Sequence, residues 1–137
     1  MKSNRKIVVL DFDGVVCDST KECLVTSWNA WKIYHEKNEF RTKISEFSIE
    51  EILNFKKLRY YVKGAGEYYV LRKILEDDRK LEIKNFRDFN LLSKKFKNEI
   101  NNFKNFIFQA RETLRQKSLD DWIKLHDVHE KVVDVIK

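Results

Sequence analysis

The spacing of apolar residues divides the chain into one short strand followed by helices. Residues 6–12 contain the run IVVL, which is apolar at consecutive positions and rich in β-branched side chains, as is typical of a strand covered on both faces. From Ser19 onwards, apolar residues recur every three or four positions, which predicts helices. Helices are predicted from Ser19 to about Lys37, from Ser48 to about Tyr61, over Tyr68 to Leu75, from Asn85 or Asp88 to Leu114, and from Ser118 to Leu125. The last segment, EKVVDVIK, fits either a short helix or a strand.

Two of these helices begin with a capping-box pattern, in which a serine is followed three residues later by a glutamate. The pairs are Ser19 with Glu22 and Ser48 with Glu51, and in this motif each side chain bonds the backbone N–H of the other residue. The longest helix has an unbroken apolar stripe, so it is predicted as a single helix. Its stripe consists of Phe89, Leu92, Phe96, Ile100, Phe103, Ile107, Ala110 and Leu114.

Together these elements predict a mainly α chain, a helical bundle with one N-terminal β-strand. A single strand cannot satisfy its own backbone N–H and C=O groups. We therefore expect that the strand over residues 6–12 is the first strand of a larger fold, or that it pairs with something outside the chain.

Composition and charge narrow the class of protein. The 137 residues are 42% hydrophobic and 36% charged, with three glycines and no proline, which is typical of one globular, mostly helical domain. The net charge of +6 does not by itself predict nucleic-acid binding, because the lysines alternate with acids, as in EKNEFRTK, and form no dense block. A basic nucleic-acid-binding protein is the least favoured alternative.

Targeting signals and cysteines indicate where the protein works. No apolar run approaches the ~18 residues of a membrane-spanning helix. The basic N-terminus and its short apolar run lead into two acids rather than a cleavage site, so we expect no signal peptide. Cys17 and Cys23 have no CxxC spacing. We predict reduced thiols in a cytoplasmic protein with no membrane partner.

The predicted strand runs into the sequence DFDG, which carries the most suggestive chemistry. Asp11 and Asp13 are two residues apart and can reach the same side of the strand end, while Gly14 allows a sharp turn. Two carboxylates this close coexist when a cation lies between them or when one is protonated. Mg²⁺ accepts such oxygen ligands and would neutralise a phosphate. One carboxylate could then attack phosphorus while the other moves protons; the alternative is a strand end with two solvated acids.

The stretch IVVLDFDGVVCDS resembles the first motif of the haloacid-dehalogenase-like (HAD) hydrolase superfamily, most of whose members are Mg²⁺-dependent phosphatases. The helical stretch from Ser19 to about Asp127 resembles the cap that many members insert after this motif. The order RYYVKGAGEYYVL followed by a long helix is similar to the cap of a phosphoglycolate-phosphatase-like subgroup. The resemblance implies that Asp11 is the nucleophile and Asp13 the general acid/base, that both bind Mg²⁺, and that the substrate is a small phosphorylated metabolite.

The resemblance also divides the chain into three parts. Residues 1–18 correspond to the first core strand and the nucleophile loop, residues 19–128 to the helical cap, and residues 129–137 to a return segment toward the core of a Rossmann-like α/β fold. In the family, a phosphate-binding Ser or Thr, a Lys and further acidic ligands follow the cap, and no residue here matches them. We therefore expect an apparently truncated chain that is close to inert alone, unless another copy or a second chain completes the core.

The turn before the third predicted helix is the candidate substrate-binding site. Arg59 and Lys63 precede Gly64, and a glycine-flanked helix start offers backbone N–H groups to an anion. The alternative is a helix–helix turn with surface cations. Arg111 is expected to form a surface salt bridge.

Two functions from different classes remain open. The favoured hypothesis is a HAD-like phosphatase that forms an aspartyl-phosphate. The alternative is a non-catalytic helical interaction or dimerisation module in which the DFDG motif is a relic, and in which an exposed strand would need a partner edge.

Overall fold

The fold is taken from a computed structural model, which describes residue 9 and residues 17–77 and 81–136, except the side chains of 133, 135 and 136. In this part of the chain seven α-helices and two short strands follow one another, which confirms the prediction of a mainly helical protein. The elements are β1 (Cys17–Asp18), α1 (Thr20–Tyr34), α2 (Ile49–Arg59), α3 (Tyr68–Glu76), α4 (Phe86–Lys95), α5 (Lys97–Lys117), α6 (Leu119–Lys124), β2 (Asp127–Val128) and α7 (Glu130–Ile136), with 3-10 turns at Ile44–Glu46 and Ala65–Glu67.

The described strand nearest the N-terminus is β1, which lies after the predicted range. That range, 6–12, is outside the described residues apart from Val9, which is exposed and belongs to no strand. Strand β1 pairs antiparallel with β2, so that Cys17 faces Val128 and Asp18 faces Asp127. In the last segment, which fitted either a helix or a strand, Glu130–Ile136 forms α7.

The core lies between α1, α3 and α5. Helix α5 contributes the fully buried side chains of Phe103, Ile107, Ala110 and Leu114, which belong to the predicted stripe. Leu24 and Trp28 of α1 and Leu71 of α3 are buried in the same cluster. Because burial of apolar surface is the dominant favourable contribution to folding, this three-helix contact is expected to supply most of the stability. None of the described helices has the length and apolarity that a membrane crossing requires.

The two predicted capping boxes have different outcomes. At α2 the box is confirmed, since Glu51 N–H donates to Ser48 Oγ at 3.1 Å and Ser48 N–H donates to Glu51 Oε2 at 2.7 Å. At α1 the prediction is wrong, because the Ser19 side chain accepts no hydrogen bond from the helix backbone. Instead, the side chain of Glu22 is buried and accepts a hydrogen bond from Arg111 of α5.

The long helix predicted up to Leu114 is two helices, α4 and α5, which meet at Phe96. The backbone of Phe96 leaves helical geometry, with φ −106° and ψ 30°, while its N–H still donates to Leu92 O at 3.0 Å. The kink lets Phe96 contact Tyr69 of α3 while Phe89 of α4 stacks on Tyr61. Packing on both sides of the kink therefore accounts for the break, which the unbroken apolar stripe did not indicate.

Helix α1 ends at Tyr34 without a glycine. The N–H of Glu36 donates to Ile33 O and that of Lys37 to Lys32 O, which is the hydrogen-bond pattern of a Schellman motif. Glu36 occupies the left-handed region, with φ 54°. This conformation is strained for a residue with a Cβ.

Candidate functional site

The predicted catalytic pair, Asp11 and Asp13, lies outside the described residues, as does Gly14. The roles of the two carboxylates and their Mg²⁺ site therefore stay predictions. Within residues 17–77 and 81–136, no group of three or more His, Cys, Asp or Glu side chains is arranged to hold a metal ion. The start of the helical bundle follows directly after the motif along the chain.

The bundle starts and ends at one place. The pairing of Cys17 with Val128 and of Asp18 with Asp127 brings the segment before α1 against the segment after α6. Lys21, in the first turn of α1, adds an ion pair across the same point, with its Nζ 2.9 Å from Asp127 Oδ2. We refer to the β1–β2 pair as the hinge.

Asp18 fastens the hinge to α1. Its Oδ1 accepts hydrogen bonds from the Thr20 hydroxyl at 2.6 Å and from the Thr20 N–H at 2.9 Å. These two bonds, together with the charges of Lys56 and His129, hold the pKa of Asp18 below its ordinary value, although partial burial works in the opposite direction. The carboxylate is therefore ionised at neutral pH, and its negative charge stabilises the N-terminal turn of α1.

The first turn of α1 also carries a buried carboxylate. The side chain of Glu22 is 3% exposed and receives two hydrogen bonds from Arg111 of α5, with Nε 2.7 Å from Oε1 and Nη2 3.2 Å from Oε2. The Thr26 hydroxyl donates to the same Oε1 at 2.7 Å. The salt bridge predicted for Arg111 is present, but its partner is buried rather than on the surface. This bidentate arrangement is the strong form of an ion pair.

The charge of Glu22 is stabilised by these partners. Burial alone would raise its pKa, but the hydrogen bonds and charge of Arg111 and the Thr26 hydroxyl outweigh burial, so the pKa lies below its ordinary value. Glu22 is therefore an ionised acceptor at neutral pH and not a proton donor. The ion pair joins the start of α1 to α5.

Cys23 lies next to Glu22 and is chemically quiet. Cys17 and Cys23 are both buried, and neither forms a disulfide. Burial first, and then the neighbouring charge of Glu22, raise the pKa of the Cys23 thiol. Because the thiolate is the nucleophilic form, a buried protonated thiol here is a packing residue.

Two arginines from different helices converge on this region. The guanidinium of Arg59, at the end of α2, lies 5.6 Å from the ring centre of Tyr68. Its charge opposes, without outweighing, the rise in the pKa of the Cys23 thiol. Arg59, a predicted substrate residue, therefore acts on the residue next to Glu22, which Arg111 bonds.

The other two predicted substrate residues, Lys63 and Gly64, are not part of this cluster. The Lys63 ammonium lies 5.7 Å from the ring centre of Phe86 in α4, and the Lys63 N–H donates to Glu67 Oε2 at 2.6 Å. The backbone N–H of Lys63, just before the predicted anion site, is thus occupied by the carboxylate of Glu67. A Cβ added at Gly64 would have no heavy atom within 4 Å, so nothing in the packing requires a glycine there.

Gly66, in contrast, is required by packing. A Cβ at this position would overlap the backbone carbonyl oxygen of Ile100 and lie 2.8 Å from Ile100 Cγ2. The missing side chain allows the turn at Ala65–Glu67 to lie directly against α5. This contact explains the second glycine of the GAG sequence as a packing residue, which sequence reasoning missed.

Arg72 of α3 was also missed. It is buried among the apolar side chains of the bundle, at 3% exposure. The available signal was the composition of α3, YYVLRKILE, which is apolar on so many positions that a charged residue within it has little access to solvent.

The chain was compared with protein-family models, with curated proteins and with solved structures, and none of them matches it. The HAD resemblance therefore rests on the quoted motif and the helical order alone.

Proposed function

We propose that the chain carries the nucleophile loop and the helical cap of a cytoplasmic, HAD-like, Mg²⁺-dependent phosphatase that acts on a small phosphorylated metabolite. In this proposal the Asp11 carboxylate attacks phosphorus as the ester P–O bond breaks, and Asp13 gives its proton to the leaving oxygen. Water then hydrolyses the aspartyl-phosphate, with Asp13 taking the proton. Mg²⁺, bound with the help of both aspartates, would neutralise the phosphate.

The hinge is the observation that carries this proposal. A domain inserted into another fold must start and end at neighbouring points, because the interrupted fold continues on both sides of it. The described helices between Thr20 and Lys124 meet that requirement, since β1 and β2 flank them and pair with each other. A cap inserted after the DFDG motif would have this topology.

The arginines at the hinge end lend further support. Arg111 of α5 bonds Glu22 in the first turn of α1, and the charge of Arg59 of α2 acts on the neighbouring Cys23. Guanidinium groups suit phosphate and carboxylate oxygens. Arg59 is the substrate contact that the sequence predicts, and Arg111 is held by Glu22.

The test is phosphate release from a panel of small phosphate esters by the 137-residue chain, with and without Mg²⁺. Because no residue of this chain matches the phosphate-binding residues that follow the cap in the family, we expect it to be close to inert unless another copy completes the core. Any release should need Mg²⁺, stop on addition of a chelator and be absent in Asp11→Asn. Asp18→Asn is the matched control, because an asparagine at this position can still cap α1 and the residue has no proposed chemical role.

Two outcomes would count against the proposal. One is release that continues after a chelator has removed Mg²⁺. The other is release that is equal in Asp11→Asn and the unmodified chain, since the activity would then not depend on the proposed nucleophile.

A second candidate is a non-catalytic module that associates with another copy of itself. The observation in its favour is the outer face of α2, where Ile49, Leu53 and Tyr60 follow one another at helical spacing and are 76%, 52% and 72% exposed. Contiguous exposed apolar surface often marks an interaction site. If this candidate is right, sedimentation equilibrium should show a dimer that Leu53→Lys disrupts and Leu91→Lys, at a similarly exposed leucine of α4, does not.

A further inference from the structure

A cavity of about 260 Å³ lies between the start of α2 and the end of α3, and no residue of β1 or β2 lines it. Glu50, Glu51 and Asn54 of α2 line it together with Arg72 and Glu76 of α3. Its volume is slightly below the range of about 300–1,000 Å³ that is usual for small-molecule sites, so only a very small ligand would fit. Its lining is mostly charged, so the charges decide what it can hold.

Arg72 is the buried charge of this cavity. Its Nε and Nη2 donate to Ser27 Oγ at 3.1 and 2.9 Å, and Nη2 also donates to Leu24 O at 2.7 Å. Both acceptors are uncharged. No carboxylate of the described residues is within ion-pair distance of Arg72, and its Nη1 makes no hydrogen bond to any of them.

An arginine in this situation is costly to bury. Burying a charge without a counter-ion is unfavourable, because the protein interior solvates the charge less well than water does. Burial lowers the pKa of Arg72 to about 9, and the more distant charges of Glu76 and Glu51 compensate only in part, with Arg41 acting against them. Arg72 still carries its proton at neutral pH, so it presents a positive charge that no carboxylate of the described residues bonds directly.

The glutamates of the cavity differ in their availability. Glu51 is engaged, because its Oε2 accepts from the Ser48 N–H and its Oε1 lies 3.3 Å from Arg41 Nη1. Glu50 and Glu76 are exposed and make no side-chain hydrogen bond to the described residues. The cavity therefore has a buried cation and two available carboxylates nearer to solvent.

We propose that this cavity binds a small zwitterion, with its carboxylate toward Arg72 and its ammonium group toward Glu50 and Glu76. A simple anion would satisfy Arg72 but would approach three glutamates. A simple cation would satisfy the glutamates and leave Arg72 without a counter-charge. A molecule of amino-acid size that carries both groups avoids both penalties and fits the volume.

The experiment is an NMR titration of the ¹⁵N-labelled 137-residue chain. The probes are glycine, β-alanine and γ-aminobutyrate, and the single-charge controls are propanoate and propylammonium. At least one zwitterion should saturably shift the amide signals of residues 48–54 and 72–76. It should bind about tenfold more tightly than either control, a difference that one additional charged hydrogen bond supplies.

Variants test the assignment of the groups. Glu76→Gln, at an exposed position, should weaken zwitterion binding about tenfold. Glu112→Gln, at an exposed glutamate of α5, should leave binding unchanged. The proposal is overturned by the absence of saturable shifts for every zwitterion, by equal binding of propanoate, or by unchanged binding in Glu76→Gln. None of these readouts depends on Mg²⁺ or phosphate release, so the phosphatase proposal stands or falls separately.

Discussion

Helices α1 and α2 begin with the same pattern, Ser-x-x-Glu, and the two glutamates have different partners. At α2, Glu51 bonds back to the N–H of Ser48, three residues earlier. At α1, Glu22 is 3% exposed and bonds Arg111, which is 89 residues away in the chain. The N–H of Thr20, in the first turn of α1, is bonded by Asp18 instead.

The comparison shows that a capping pattern predicts a hydrogen bond that a glutamate can form. Whether the bond forms depends on the other partners that the tertiary structure places near the glutamate. A bidentate bond with an arginine is roughly twice as strong as a bond between neutral groups, so Glu22 turns inward where Arg111 is available. Glu51 is near the solvent and forms its ion pair with Arg41. At α1 a different acceptor, the Asp18 carboxylate, therefore bonds a backbone N–H of the first turn, that of Thr20.

The largest effect is expected from removing the charge of Glu22. Glu22→Gln should lower the free energy of unfolding by about 2–3 kcal/mol, because it leaves the partly buried Arg111 without its counter-ion. Glu51→Gln, the matched change, should cost only about 0.5 kcal/mol, because a glutamine can still complete a capping box. Urea-induced unfolding of both variants measures the difference, and equal losses would show that the two glutamates are equivalent after all.

Two glycines offer the same kind of comparison. Gly66→Ala should destabilise the protein by about 2 kcal/mol, because its Cβ would overlap the backbone of Ile100, which cannot move aside easily. Gly64→Ala, in open space at an extended backbone, should be neutral or slightly stabilising. Thermal unfolding of both variants tests this, and a larger loss at Gly64 would contradict the packing described for the turn.

A smaller effect is expected from pH. The folded-state pKa of Glu22 is below its ordinary value of 4.5, because Arg111 and Thr26 outweigh the opposing effect of burial. Its contribution to stability is therefore complete above pH 4.5 and is lost as the pH falls through the lower folded-state value. Denaturation at a series of acidic pH values should show a steeper loss for the unmodified chain than for Glu22→Gln. Parallel curves would exclude Glu22 as a source of the pH dependence.

The smallest effect concerns a residue whose strain is entirely local. Glu36→Gly should stabilise the protein by about 0.5 kcal/mol, because glycine adopts the left-handed conformation without strain and loses part of this gain to chain entropy. Lys37→Gly is the control, since Lys37 has no positive φ, and it should not stabilise. A destabilised Glu36→Gly would mean that the Glu36 side chain makes a contribution that outweighs its backbone strain.

Much of the fold could be predicted because it depends on bonds between near neighbours. The caps at Ser48 and Ser118 join residues three apart, and the apolar stripe of α5 lies on one face of one helix. The kink at Phe96 could not be predicted, because the stripe continues in register through it. Its cause is packing against Tyr69, which is distant in sequence.

The candidate site was less predictable for the same reason. Arg59 could be singled out from its position before the GAG turn, but its effect on Cys23 of α1 depends on how α1 and α2 pack. Pairing of Glu22 with Arg111, and burial of Arg72 over a cavity, are tertiary contacts that no local pattern encodes. The motif at Asp11 and Asp13 is local, which is why it could be recognised from the sequence alone.

The hinge has a mechanical consequence. In the antiparallel pair, Cys17 and Val128 form the outer residue pair and Asp18 and Asp127 the inner one. Tension applied to the two flanking segments would load the outer pair first and part the ladder one residue pair at a time. The helices would bear force only after both pairs and the Lys21–Asp127 ion pair had separated. In an optical trap this would be recorded as a low-force extension before the main rupture of the bundle.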